Sequence, residues 1–215
     1  MNPGHQSIAL LARAYIFFNE ELFEGKLKTV HFTLQRKART FGYYSPDRWQ
    51  ANRRGSNDDE LVDEIAMNPA YFKSQSTQQI LSTLVHEMVH HWQRYFGKPG
   101  RGQYHNVEWA KKMESIGLFP SDTGEPGGKR TGDRMSHYIV PGREFDVACG
   151  KFINMGHDIP WFDCHPPKEA VQKRSSDKAT YECPTLGCDL KVWGKPGIQN
   201  LGCTVHKTLL KEKLA

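Results

Sequence analysis

His86-Glu87-Met88-Val89-His90 holds residue types at a spacing that suits metal-assisted hydrolysis. An α-helix turns about 100° per residue, so positions i and i+4 lie about 40° apart on one face. On a helix, His86 and His90 can share one ion. Glu87, one step round, can reach a water on that ion without becoming a ligand. Zinc in such a place polarises a carbonyl and acidifies water, and a neighbouring carboxylate moves the proton. In a chain of 215 residues with ten histidines, the bare pattern arises by chance roughly 0.03 times. The surrounding sequence therefore has to support it.

A second set of ligand types lies near the C-terminal end. Cys183-x4-Cys188 is followed by Cys203-x2-His206. Two close pairs on either side of a hairpin-length segment, with Pro184 and Gly187 beside the ligands, read as a zinc ribbon. Four protein ligands close a site, so this zinc is structural and adds folding energy to a segment with little core. Residues 189–193 are expected as one strand of the hairpin and residues 194–197 as its turn. Cys149 is expected as a small core residue, and Cys164, before Pro166-Pro167, as part of an ordinary loop.

A catalytic zinc usually has three protein ligands, and the helix supplies two. The metzincin continuation needs glycine at 93 and histidine at 96; Gln93 and Phe96 stand there. Glu108 and Glu114 are downstream carboxylates, and Glu114 lies at a thermolysin-like distance from His90. The preferred third ligand is His105, which follows a glycine-rich loop and opens the next helix, whose body packs through Trp109 and Met113.

The elements that position these residues follow from capping and periodicity. Ser76-Thr77-Gln78-Gln79 reads as a capping box, and Gly97 then Pro99 stop the helix. Leu81, Leu84, Val85, Met88, Val89, Trp92 and Phe96 share one sector. Gln79, Thr83, His86, His90 and Gln93 share the other, so the pair faces a second surface. His91 points away and is expected at a boundary or on the surface. Upstream, residues 7–23 have a helical period, and residues 29–35 alternate as a strand. Residues 41–45 read as a short strand stopped by Pro46-Asp47, residues 51–63 as a loop or hairpin tip, and residues 64–67 as a third strand. Downstream, a helix is expected over 105–116. Residues 121–134, with four glycines and a proline, read as a mobile linker. Residues 135–140 and 145–152 carry enough apolar residues for short elements. The charged segment 168–178 is either a solvated helix or a tether.

Composition narrows the class. Hydrophobic content of 38% with 25% charged residues is that of a soluble globular chain. No apolar run approaches a membrane span, and the first residues lack a secretory signal. Those features predict a cytoplasmic protein whose five cysteines stay reduced and serve metal rather than disulfides. Net charge is +5 and the pI about 8.9, a mild basic bias compatible with nucleic acid.

His86-Glu87-x-x-His90, then His105 and Trp109, resembles the SprT-like zinc metalloprotease family, whose members include a DNA–protein crosslink protease. Leu22-Phe23-Glu24-Gly25-Lys26-Leu27 is similar to that family's Phe-x-Gly-x-Leu, and Phe41-Gly42-Tyr43 to its Gly-Tyr strand. The resemblance covers roughly residues 7–118 and resumes at the C-terminus, where many members carry a ribbon. Two departures are Asn106, where glycine often follows the third histidine, and the ribbon's four-residue gap with His206 as its fourth ligand. The resemblance implies an α+β, zincin-like core of helices on a small antiparallel sheet. The domains expected are a protease over 1–120, an extension over 121–178 and a ribbon over 179–210. It also implies zinc on His86, His90 and His105, Glu87 as general base, and protein substrates held on DNA. The basic residues Arg36, Lys37, Arg39, Arg53, Arg54, Lys129 and Arg130, and a ribbon surface of Lys191, Trp193 and Lys195, would serve non-specific DNA binding. Packing of Trp193 inside the ribbon is the alternative. Rival classes are a non-cleaving zinc-stabilised nucleic-acid adaptor and a regulatory or toxin peptidase acting on free cytosolic proteins.

Overall fold

A computed structural model describes residues 2–51, 61–102, 104–165 and 179–213. The chain divides into two units, residues 1–167 and 168–215, each with its own apolar cluster. Both units mix or consist of small sheets, and the larger adds helices, so the chain is α+β.

Helix α1 spans Pro3–Phe23. It begins earlier than periodicity alone suggests because Asn2 caps it, its Oδ1 accepting from the Gly4 N–H at 2.9 Å, with Pro3 in the first turn. It ends where Glu24 and Gly25 adopt φ of 59° and 66°. The buried Asn19 amide then holds Leu27 by both its backbone groups, at 3.0 and 3.1 Å.

Strands β1 (His31–Leu34), β2 (Gly42–Gln50) and β3 (Leu61–Met67) form a sheet in the order β1-β3-β2. The sheet is mixed, not antiparallel as expected: β1 runs parallel to β3, and β2 antiparallel to it. The central strand is β3, buried from Asp63 to Met67, as suits a strand covered on both faces. β2 also does not stop at Pro46-Asp47. It passes through an irregularity between Ser45 and Trp49, where Asp47 has φ 49° and donates its N–H to Asp63 Oδ1 at 2.8 Å. An edge strand tolerates proline at such a bulge. Of the expected loop over 51–63, residues 52–60 lie outside the described residues.

A short 3-10 turn, Pro69–Ser74, leads into α2, Thr77–Phe96. The capping box forms: Ser76 Oγ accepts from the Gln79 N–H at 3.2 Å, and Gln79 Oε1 from the Ser76 N–H at 2.9 Å. Helix α3 is Val107–Ser115, starting after His105. Strands β4 (Leu118–Ser121) and β5 (Ser136–Ile139) pair antiparallel, and α4 covers Glu144–Asn154. The stretch between β4 and β5 is tied down rather than a free linker. Asp122 and Lys129 exchange bonds of 3.1 and 2.8 Å, and His105 and Gly132 pair their backbones. Helix α4 belongs to the main core, so this unit extends past the expected boundary at 120. Phe145 and Phe152 are buried against Phe18 of α1, with ring centroids 5.7 Å apart in each case.

In the smaller unit β6 (Ala179–Glu182), β7 (Lys191–Gly194) and β10 (Lys211–Lys213) form a sheet in the order β10-β6-β7. β8 (Gly202–Cys203) and β9 (Thr208–Leu209) form a second hairpin. The charged segment 168–178 lies outside the described residues. Among the described residues no helix is long and apolar enough to cross a membrane.

Phe145→Ala should cost the larger unit about 3–5 kcal/mol, the usual loss for a fully buried phenylalanine. Denaturant unfolding followed by tryptophan fluorescence measures it. Loss of less than about 1 kcal/mol would mean that α4 does not share the core.

Candidate metal centre

Helix α2 is buried almost all round between α1, α3, α4 and the sheet. Its apolar sector enters the core as expected, except Phe96 at its end, which is exposed. Its polar edge is covered as well: His86 is 7% exposed and Glu87 6%. His91 is not a surface residue but is fully buried. Its Nδ1 lies 3.1 Å from the Tyr15 hydroxyl and its Nε2 3.7 Å from Asp63. Burial foremost, against the pull of Asp63, keeps its pKa down at about 4.

His105 sits in the extended residues just before α3, not within the helix. Asn106 takes the capping role, its Oδ1 accepting from the Trp109 N–H at 3.0 Å. It does so in an extended conformation, with φ −85°, that needs no glycine. The turn back from α2 is organised by Gln93. Its Nε2 donates to Asn106 Oδ1 and Glu108 Oε2, each at 2.8 Å. Glu108 also accepts from the Lys98 N–H at 2.6 Å, and Glu114 is engaged by Arg130 at 2.6 and 2.7 Å. Both carboxylates weighed as third ligands are thus committed elsewhere.

Nitrogens of His86, His90 and His105 lie within 4.8 Å of one another. His90 Nε2 and His105 Nε2 are 3.0 Å apart. A tetrahedral zinc with Zn–N of about 2.0–2.1 Å keeps its ligand nitrogens about 3.4 Å apart. Trp109, fully buried, lies against all three rings at centroid distances of 4.9, 5.4 and 4.4 Å. His105 Nδ1 donates to the Gly132 carbonyl at 3.0 Å, an obligate acceptor, so its Nε2 carries a bare lone pair.

The electrostatics suit metal ligation. Burial, then the neighbouring imidazoles, holds His86 well below its ordinary pKa. Burial foremost, then His105, lowers His90 to about 3. Burial lowers His105 against the opposing Gly132 carbonyl. All three are therefore neutral near pH 7, the form that ligates. Burial pushes Glu87 up to about 8, opposed by a backbone bond from Tyr44 and by Lys37. One member was missed from the sequence: His137 on β5, whose Nδ1 lies 3.2 Å from His86 Nδ1 and whose Nε2 lies 2.9 Å from Ser82 Oγ. A lone histidine in a short strand gives no signal of that contact.

In the smaller unit Cys183, Cys188, Cys203 and His206 also come together. His206 Nδ1 lies 3.7 Å from Cys183 Sγ and 3.5 Å from Cys203 Sγ, and Cys188 Sγ lies 4.0 Å from Cys203 Sγ. With Zn–S of about 2.3 Å, tetrahedral ligands sit about 3.6–3.8 Å apart. The first pair lies in the connection between β6 and β7, and Cys203 ends β8 with His206 in the turn to β9. Cys149 is buried in the main core as expected, its thiol raised to about 12, first by burial and then by Asp146. Cys164 is an exposed loop residue.

Comparison with known proteins places these residues in context. A family model described as the SprT-like family matches residues 11–125, which include α1 from Leu11 onward, the mixed sheet, α2 and α3. A Salmonella typhimurium protein described as "Uncharacterized protein in mucB 3'region" is 47% identical over 59 residues, which is 27% of this chain and 80% of that protein. No solved structure is a significant match. The family match spans more than half of the chain and contains all three clustered histidines, and the chain belongs to the SprT-like family.

Proposed function

We propose that this chain is a zinc-dependent endopeptidase with one catalytic and one structural zinc. The observation that carries the reading is the convergence of three imidazoles from α2 and the segment before α3, with Glu87, next to His86 in α2, buried. His86, His90 and His105 would hold the catalytic ion. When bound, zinc supplies Lewis acidity toward the scissile carbonyl and toward water. Glu87 accepts the proton of the attacking water and returns it to the leaving amine. Gly132 and Trp109 fix the His105 ring, one through Nδ1 and the other by packing. Cys183, Cys188, Cys203 and His206 would hold the structural ion of a zinc ribbon.

The substrate class proposed is protein held on DNA. Trp193 supports it, because 68% of its surface is exposed on a strand that also carries Lys191, with Lys195 just beyond. A flat aromatic between cations suits stacking on an unpaired base. Other basic groups contribute less: Arg36 pairs with Asp163 at 2.5 Å and Arg130 with Glu114. Lys191 itself pairs with Glu182 at 3.1 Å, and Arg53 and Arg54 lie outside the described residues.

Three measurements test this reading. Glu87→Gln should keep both zincs and the fold while losing about 10²–10⁴ of the peptidase rate; retained cleavage removes Glu87 from the mechanism. Metal analysis should find two zincs per chain, falling to one in His105→Ala and in Cys183→Ser but not in Glu114→Gln. A Glu114→Gln chain that loses zinc while His105→Ala keeps it would move the third ligand to the carboxylate. Fluorescence anisotropy with oligonucleotides should show sequence-independent binding that weakens steeply with salt, as counterion release requires, and that falls in Trp193→Ala. Binding absent at low salt, with cleavage indifferent to DNA, favours a peptidase of free proteins. Binding without cleavage favours the adaptor.

A further inference from the structure

We propose that His137 is a positioning residue for the metal centre, holding the His86 ring so that Nε2 is the nitrogen left for zinc. The proposal rests on reading His86, His90 and His105 as the ligands of the catalytic ion.

The Gln79 carbonyl is an obligate acceptor. The Ser82 hydroxyl donates to the Gln79 carbonyl at 2.9 Å, so its oxygen has only lone pairs to offer His137. His137 Nε2, 2.9 Å from that oxygen, must carry the proton. A neutral imidazole protonated at Nε2 has a bare Nδ1. That nitrogen lies 3.2 Å from His86 Nδ1, and two bare nitrogens at this separation would repel. His86 therefore carries its proton on Nδ1 and donates it to His137, leaving the Nε2 lone pair free. The bonds run in one direction, from His86 to His137, to Ser82, to the Gln79 carbonyl.

The arrangement matches what Gly132 does for His105, reached by a different donor path. In the second case the acceptor is backbone. In the first it is a side chain on β5, brought to α2 only by the β4–β5 hairpin. Removing a partner of this kind from a ligating histidine costs about 10- to 100-fold in metal affinity.

The test is chelator competition on the zinc-loaded full chain, comparing wild type with His137→Leu, His137→Asn and Ser82→Ala, with cobalt as a spectroscopic substitute. Cysteine thiolates give cobalt charge-transfer absorption that an all-nitrogen centre lacks, so the two ions are followed separately. His137→Leu should weaken retention at the histidine centre by about 10- to 100-fold, change its cobalt spectrum and leave the thiolate-bound ion untouched. Asparagine, whose Oδ1 can accept where Nδ1 did, should restore most of that loss. Ser82→Ala should give a smaller loss in the same direction. Equal retention in wild type and His137→Leu overturns the proposal. So does a leucine defect that asparagine does not repair, because packing alone would then explain it. If His137→Leu fails to fold, unchanged retention in Ser82→Ala overturns it instead. A wild-type chain that holds no metal at the histidine centre would overturn the centre and this proposal together, a result distinct from loss of the positioning role alone.

Discussion

Two imidazole nitrogens 3.0 Å apart, His90 Nε2 and His105 Nε2, place the central constraint on this structure. His105 already uses its one N–H in the hydrogen bond to the Gly132 carbonyl, so one of the two is a bare lone pair directed into a buried space. Such a contact is favourable only with a proton or a cation between the nitrogens, and burial keeps both rings from becoming charged. The surrounding architecture serves to maintain that convergence. Gln93 and Asn106 fold the chain back after α2, Gly132 clamps the backbone of His105, and Trp109 fills the space behind all three rings.

The same constraint explains why α2 is covered on its polar edge as well as its apolar one. Thr83, His86, Glu87 and Gln93 are buried polar residues, and each unsatisfied polar atom would be costly. Thr83 and Ser82 bond back to the Gln79 carbonyl, and Gln93 has three acceptors. On the neighbouring side His91, Asp63, Tyr44 and Tyr15 form a second buried polar group. There the Tyr44 hydroxyl donates to Asp63 at 2.6 Å, tying β2 and β3 together beneath the helix. The bulge at Asp47 is part of that group, because the other Asp63 oxygen holds it.

The smaller unit depends on a different balance. Its buried cluster is Tyr181, Cys183, Cys203 and Leu210, two of which are candidate ligands. So little apolar surface cannot order a segment of this length by itself. A metal held by the four converging ligand atoms would supply a physical source for the missing stability. Large apolar side chains, among them Leu186, Trp193 and Val205, remain exposed.

Much of the histidine centre was legible from local pattern. The i, i+4 pair, the capping box at Ser76 and the stop at Gly97 are properties of one helix, and helical geometry fixes their consequences without tertiary knowledge. The Cys183, Cys188, Cys203 and His206 set was likewise readable from spacing. What local pattern did not reveal depended on contacts distant in sequence. The mixed sheet arises because β3, though third in order, is the strand buried enough to sit between β1 and β2. The continuation of β2 through Pro46 needed Asp63 to receive the Asp47 N–H. Burial of His91 needed Tyr15 from α1, and inclusion of α4 in the core needed Phe18. His137 could not be found from its neighbours in the chain, since its place beside His86 is set by the β4–β5 hairpin returning across 51 residues. The sequence by itself determined which residue types could ligate and which face of α2 would carry them. Tertiary packing decided which nitrogen of His105 is left free, because that depends on the Gly132 carbonyl brought to its other nitrogen.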